Sequence, residues 1–283
     1  MKKFNFNEDI QELEVDPRFI EQGLSYAAKK KCTAIRVHEL NEQSGGSYDL
    51  DLTPLANNKV IQSLSISDNF KISKIQIDEI YTLENLSKLS YQDKKIKIDF
   101  SKLPQLEVLY FKYNDVPTGF SSLKNLKHLL ITSLSNNDCF LLEGLTSLRE
   151  LRLSGGTVKT LSGIEMLSKL IDVKIDHCSK LEDISSIGKL KNLENLYIEK
   201  CKLLNDFSFL SSNNSIERLF LSDLDSISFI AGMKKLNFLK FWNLKDGDLN
   251  PVLKVKSLKM VDFYPDKKHY SHTKSEINNL LNH

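Results

Sequence analysis

The sequence predicts an α/β solenoid: short strands and turns repeated along the chain, stacked around one continuous apolar core, with a helix over each end. Three observations point there. An apolar frame (apolar, two of any kind, apolar, any, apolar) recurs with a period of about 22 residues. A second, shorter apolar motif recurs between its copies. Helix-start signals flank the array on both sides. These divide the 283 residues into an N-terminal helical cap at 1–31, about ten to eleven repeats at 32–266, and a C-terminal helical cap at 267–283.

The frame is clearest at Leu193, Leu196 and Ile198, in the run Leu-Glu-Asn-Leu-Tyr-Ile-Glu-Lys-Cys. Taking the second apolar residue as the marker gives Leu64, Leu89, Leu109, Leu129, Leu151, Val173, Leu196, Leu219, Leu239 and Val261, separated by 20 to 25 residues. A weaker copy begins at Cys32, Ile35 and Val37. Side chains alternate along a strand, so the last two apolar residues of each frame point inward and the residue between them points outward. One copy alone cannot bury its leucines. Stacked copies can, and they build a parallel sheet on one side.

Between strands the pattern apolar, Ser/Thr, any, apolar appears at Leu52–Leu55, Leu161–Ile164, Ile184–Ile187, Phe207–Leu210 and Ile227–Ile230. That spacing predicts short 3₁₀ turns on the opposite side, with the Ser/Thr hydroxyl satisfying a nearby backbone amide. At the front, Asp16 followed by Pro17 predicts a helix start, and Phe19, Ile20, Leu24, Ala27 and Ala28 supply an apolar side to cover the first repeat. At the back, Thr273 and Glu276 have capping-box spacing ahead of Ile277, Leu280 and Leu281. Caps at both ends lead us to expect a complete protein with no appended effector domain.

With ten or more phased copies, the sequence resembles the leucine-rich-repeat family, in its short internalin-like class, over about residues 32–266. The resemblance implies a curved right-handed solenoid with the parallel sheet on its concave face. It also implies Asn or Cys at the turn closing each strand. Asn69, Asn114, Cys178 and Cys201 fit, whereas Lys94, Leu134, Gly156, Leu224, Leu244 and Asp266 depart from it. Irregularity is therefore expected around Leu224 and Leu244.

Composition excludes several function classes. Lys and Arg outnumber Asp and Glu by 39 to 37, and a net charge of +2 gives little long-range field for nucleic acid. After Lys2 and Lys3 come Asn, Asp and Glu where a signal peptide needs an apolar run, and no stretch is long enough to span a membrane. Four irregularly spaced cysteines, Cys32, Cys139, Cys178 and Cys201, read as reduced core thiols of a cytoplasmic protein. No cofactor motif is present: the pairs Gly45-Gly46 and Gly155-Gly156 lack the Lys-Ser/Thr of a phosphate loop. Lys29, Lys30 and Lys31 sit where a helix C-terminus favours cations.

Catalysis is not expected. His38, His128 and His177 fall on outward positions of widely separated repeats, and His269, His272 and His283 cluster near the terminus. No nucleophile has a sequence-evident base. A metal site from His177, Cys178 and Cys201 fails because the histidine faces out and the cysteines face in.

The outward residues are more informative. In order they are Arg36, Ser65, Ser90, Tyr110, Leu130, Arg152, Lys174, Tyr197, Phe220, Lys240 and Asp262, growing from small to large along the chain. Flanking positions add Tyr113, Phe238, Trp242, Met260 and Tyr264. We take Tyr110, Tyr113, Arg152, Lys174, Tyr197, Phe220, Phe238, Lys240, Trp242 and Tyr264 as candidate partner-binding residues, since aromatics and arginine most often anchor interfaces. Asp176, Glu199, Lys200 and Arg218 would join the rim. Two readings compete: the rings merely pair across strands, or the terminal helix covers them.

The expectation is a non-catalytic protein-recognition module, monomeric when free, that binds a protein partner on its concave face. Its Lys, Asn and Ile usage has a bacterial look, and the resemblance implies roles such as an immunity protein neutralising a toxin. Alternatives are a scaffold or regulatory subunit of an enzyme such as a phosphatase, or a host-directed effector.

Overall fold

Every marker of the apolar frame lies second in a β-strand, with its side chain inside. The computed structural model describes residues 1–41 and 46–281. The chain divides into two compact units, Met1–Leu130 and Ile131–His283.

The first unit opens with an antiparallel hairpin, β1 (Phe4–Asn7) and β2 (Glu12–Val15). Asp16 then caps a 3₁₀ turn at Pro17–Phe19 by accepting from the Arg18 amide, and helix α1 (Ile20–Lys30) follows. The helix buries Ile20, Gly23, Leu24 and Ala27. Gly23 is required by close approach, since a Cβ there would lie 2.6 Å from the Val15 methyls. The expected cap is thus a hairpin as well as a helix. Leu13 and Val15 act as one more copy of the inward frame, because β2 runs parallel to β3 (Ala34–Val37) with Leu13 beside Ile35 and Val15 beside Val37.

Between β3 and the next sheet strand comes β4 (Ser47–Asp51). Strand β5 (Ser63–Ile66) follows, then β6 (Lys71–Gln76), β7 (Lys88–Tyr91) and β8 (Val108–Lys112). β3, β5, β7 and β8 pair in parallel, with Ile35, Leu64, Leu89 and Leu109 in one row. β4 and β6 pair only with each other. They occupy the longest repeats, whose extra residues need backbone partners of their own. Inside, Phe100, Phe111 and Phe120 meet edge to face, with centroids 5.7 to 6.1 Å apart.

Strand β9 (His128–Leu134) holds the boundary between the units. In the second unit, β10 (Glu150–Gly156), β11 (Asp172–Asp176), β12 (Asn195–Glu199), β13 (Arg218–Leu224), β14 (Phe238–Leu244) and β15 (Met260–Phe263) pair in sequential order, all parallel. Leu151, Val173, Leu196, Leu219, Leu239 and Val261 form an inner row with 0 to 1 % exposure.

The departures at the turn position have a structural answer. Where Asn or Cys stands, the side chain bonds backbone: Asn69 donates to the Glu39 carbonyl at 3.0 Å and Cys178 to the Gly155 carbonyl at 3.4 Å. Where Leu224 and Leu244 stand, the strands run on to seven residues and the ladder itself satisfies the backbone, pairing Asp223 with Asn243 and Leu224 with Leu244.

The turns between strands are 3₁₀, as the tetrads predict, but the capping differs. The acceptor is the side chain two residues before the Ser or Thr. Asp51 accepts from the Thr53 amide at 2.9 Å, Asp183 from Ser185 at 2.9 Å and Asp206 from Ser208 at 2.8 Å. Asp makes this bond more strongly than a hydroxyl does, and Thr160 and Ser226 make the weaker version to the Ser162 and Ser228 amides at 3.2 Å. A further ladder is made by the amide residue before the first leucine of a frame. Asn85, Gln105, Asn125 and Asn192 each donate to a carbonyl of the previous repeat at 2.8 to 3.1 Å.

At the C-terminus Thr273 and Glu276 form the predicted reciprocal box, with N···O distances of 2.8 and 3.3 Å, and helix α2 (Lys274–Leu281) follows. It packs on β15, burying Ile277. Asn278 closes the open edge: its amide accepts from the Val261 N–H at 2.9 Å and donates to the Val261 carbonyl at 2.8 Å.

Candidate functional site

Register places the outward residues of the second unit side by side: Lys174 beside Tyr197, Tyr197 beside Phe220, Phe220 beside Lys240, and Lys240 beside Asp262. Adjacent parallel strands are about 4.8 Å apart, so flat rings on neighbouring positions stack. Tyr197 and Phe220 do so at 4.3 Å with a 28° tilt, and Trp242 meets the edge of Phe220 at 5.2 Å. Phe220 is left 6 % exposed as the floor, while Trp242 is 37 % exposed as a wall. The Arg218 guanidinium lies 4.5 Å from the Phe238 ring centre, and Lys200 sits 5.8 Å from that of Trp242. Tyr197, Arg218, Phe220, Phe238 and Trp242 line an open groove of about 470 Å³, with Lys174 and Lys240 on its rim.

The charges around it are ordered. Lys240 pairs with Asp262 at 2.8 Å, and Lys274 of α2 reaches the same carboxylate at 3.3 Å. The two lysines and burial act on Asp262 together, and the lysines prevail, holding it below the usual carboxylate range. Lys174 pairs with Asp172 at 3.4 Å. Burial, then the hydrogen bond to Glu199, pushes the Tyr197 phenol up to about 12, so at neutral pH it is a fixed donor to that carboxylate.

Of the ten candidate residues, the structure brings Lys174, Tyr197, Phe220, Phe238, Lys240 and Trp242 into this groove. Arg152 stands one strand away, bonded to Asp176 at 3.0 Å. Tyr264, 79 % exposed, lies past the end of β15 and does not line the groove. Tyr110 belongs to the first unit, half-buried, with Lys88 5.8 Å from its ring centre. Tyr113 is a correction. It is 5 % exposed, because residues two apart share a face and it follows Leu109 and Phe111 inward. Asp176 is likewise not a rim residue: it is buried, and although burial raises its carboxyl, bonds from Ser154, His177 and Arg152 outweigh that and hold it low. Arg218, placed only on the rim by the sequence, lines the groove. Its signal was the outward position just before the frame's inner leucine.

Helix α2 does not cover the rings, since it packs on the far side of β15.

The histidines do not converge: His177 bonds Asp176 at 3.1 Å, His269 the Leu244 carbonyl at 3.1 Å, and His38 lies beside Asn69 at 3.3 Å. Gly45 and His283 lie outside the described residues. Among the described residues no group of three His, Cys, Asp or Glu side chains is placed to hold a metal ion. The four cysteines are buried and free. Burial pushes the Cys139 thiol up to about 12, and the bond to Cys201 followed by burial raises Cys178, so both stay protonated. No described helix is long and apolar enough to cross a membrane.

Among solved structures, the chain is similar to an internalin (inlF) from Listeria monocytogenes, at 18 % identity and a TM-score of 0.59, covering 91 % of this chain and 88 % of that one. A leucine-rich-repeat protein of Leptospira interrogans aligns at 17 % identity and a TM-score of 0.49, covering 95 % and 81 %. No family model and no curated protein matches the sequence. The likeness to the Listeria internalin, together with the parallel strand ladder, makes this an internalin-like leucine-rich-repeat fold.

Proposed function

We propose that the chain is a non-catalytic recognition module that grips a protein partner through the groove on the sheet face of its second unit. The observation that carries this is the group Tyr197, Phe220 and Trp242 on the outward face, the first two stacked and the third meeting Phe220 edge-on, outside a core already filled by the inward residues. Its exposed part, Trp242 and the half-buried Tyr197, is apolar surface that a partner would cover. Anchored by backbone ladders on both sides, it is held ready, which favours binding with little change of shape. Within this reading the leading role is that of a bacterial immunity protein holding one cognate toxin, because a single ring-floored groove suits one dedicated partner better than the several that a scaffold would hold.

The test is affinity capture from the native cell lysate with mass spectrometry, comparing wild type with an Arg218→Gln, Trp242→Ala variant. A stoichiometric protein partner that the variant loses is the expected result. Unchanged capture by a folded variant overturns the groove as the binding face. The immunity role falls if the captured protein is no toxin and expression protects against none.

A further inference from the structure

Resting on the recognition reading, we infer that the segment of the partner seated in this groove is an acidic stretch carrying an aromatic side chain. The argument is one of charge and shape. Around the rings stand Lys174, Lys200, Arg218, Lys240 and Lys274 against Asp172, Glu199 and Asp262. Glu199 is held by Tyr197 and Lys200, Asp262 is divided between two lysines, and no described carboxylate pairs with Arg218, which is exposed with its guanidinium 4.5 Å from the Phe238 ring centre. A planar guanidinium with no carboxylate partner is the group that takes a carboxylate in a two-pronged bond.

The same bias continues next door. A second concavity, of about 300 Å³, lies at the entry ends of the same strands, where Arg149, Lys169, Lys191 and Lys235 face Glu194 and Glu217. Each concavity alone carries as large an excess as the whole chain, whose net charge is +2. The two concavities together carry more net positive charge than the whole chain, so the remaining residues sum to a net negative charge. An acidic segment lying across both concavities matches this field. Between the cations, the exposed ring of Trp242, backed by Phe220, accepts a flat apolar side chain by stacking. Interleaved carboxylates and a buried ring floor fit a peptide better than the uniform charge of a nucleic acid strand.

Trp242 is the only tryptophan, so its fluorescence reports this groove alone. The experiment is to pan a random-peptide library displayed on phage against the full chain, then titrate enriched peptides against Trp242 fluorescence. Acidic peptides containing Phe, Tyr or Trp are expected to be enriched and to shift the emission saturably. Their affinity should fall about tenfold or more in Arg218→Gln and weaken steadily between about 50 and about 300 mM salt. Arg218→Gln leaves the inner frame untouched, so circular dichroism should not move.

Enrichment of basic or neutral peptides, no enrichment, or tighter binding of a single-stranded RNA oligomer than of any peptide would each overturn the inference. If the lysate partner is still lost in the groove variant while acidic peptides fail, recognition stands and the acidic segment falls. If both fail, both fall.

Discussion

The two units place aromatic side chains differently along their outward rows. In residues 1–130 Phe100, Phe111 and Phe120 form one inward cluster, and Tyr91 and Tyr113 join the interior, while the outward row holds Arg36, Ser65, Ser90 and the separate ring of Tyr110. In residues 131–283 rings occupy both faces, with Phe241, Phe263 and Tyr270 inside and Tyr197, Phe220 and Trp242 outside. The inward choice is dictated by packing a core without voids. The outward choice is not dictated by the core, and on our proposal it marks where the partner binds.

That contrast can be broken most directly in urea. Phe100→Ala is expected to cost about 3 to 5 kcal/mol by opening a cavity in the cluster, while Trp242→Ala costs less than about 1 kcal/mol. Equal losses would mean that the outward rings are structural after all. The next effect tests how a long strand ends. Gly156 has φ +104°, and a Cβ there would meet the Leu134 carbonyl oxygen at 2.2 Å, whereas Gly155 at φ +68° has open space. Gly156→Ala should cost about 2 to 4 kcal/mol and Gly155→Ala about 1 kcal/mol, measured by thermal unfolding.

Capping should be indifferent to the contrast. Asp51→Ala in the first unit and Asp206→Ala in the second should each lose about 1 kcal/mol in denaturant unfolding, and a large inequality would show that the turns of one unit matter more. The smallest effect appears only in acid. Because Asp176 is held below the ordinary aspartate value, its contribution is complete above about pH 4 and is lost as pH falls through its lowered pKa. Asp176→Asn should therefore flatten the acid limb of stability against pH, and an unchanged slope would contradict the assignment.

Much of this architecture is legible in residue order, since a frame of inward leucines has one way to stack. The strands from Leu64 to Val261, the 3₁₀ turns and the Thr273–Glu276 box follow from local patterns. The hairpin before α1 was hidden because Leu13 and Val15 give too short a frame beside the louder Asp16-Pro17 signal. β4 and β6 pair only with each other, a choice made by long repeats in three dimensions. The Asp-x-Ser cap is legible too, as at Asp183 and Ser185, because a carboxylate two residues ahead of an open amide accepts from it. The outward alternation located the rings of the groove, and the same alternation, applied strictly, removes Tyr113. What residue order could not reveal is the sharing of Asp262 by two lysines, one of which arrives from the terminal helix.

A stack of parallel strands is by nature an unfinished crystal: its last strand offers the next one a template, and another copy of the chain is always available to accept. Asn278 occupies that template with a single amide, imitating in one side chain the donor and acceptor of a strand that never comes. Its replacement by leucine would leave the fold's length to be set by concentration, and the visible consequence would be growth of assemblies over time where the wild type stays at one size.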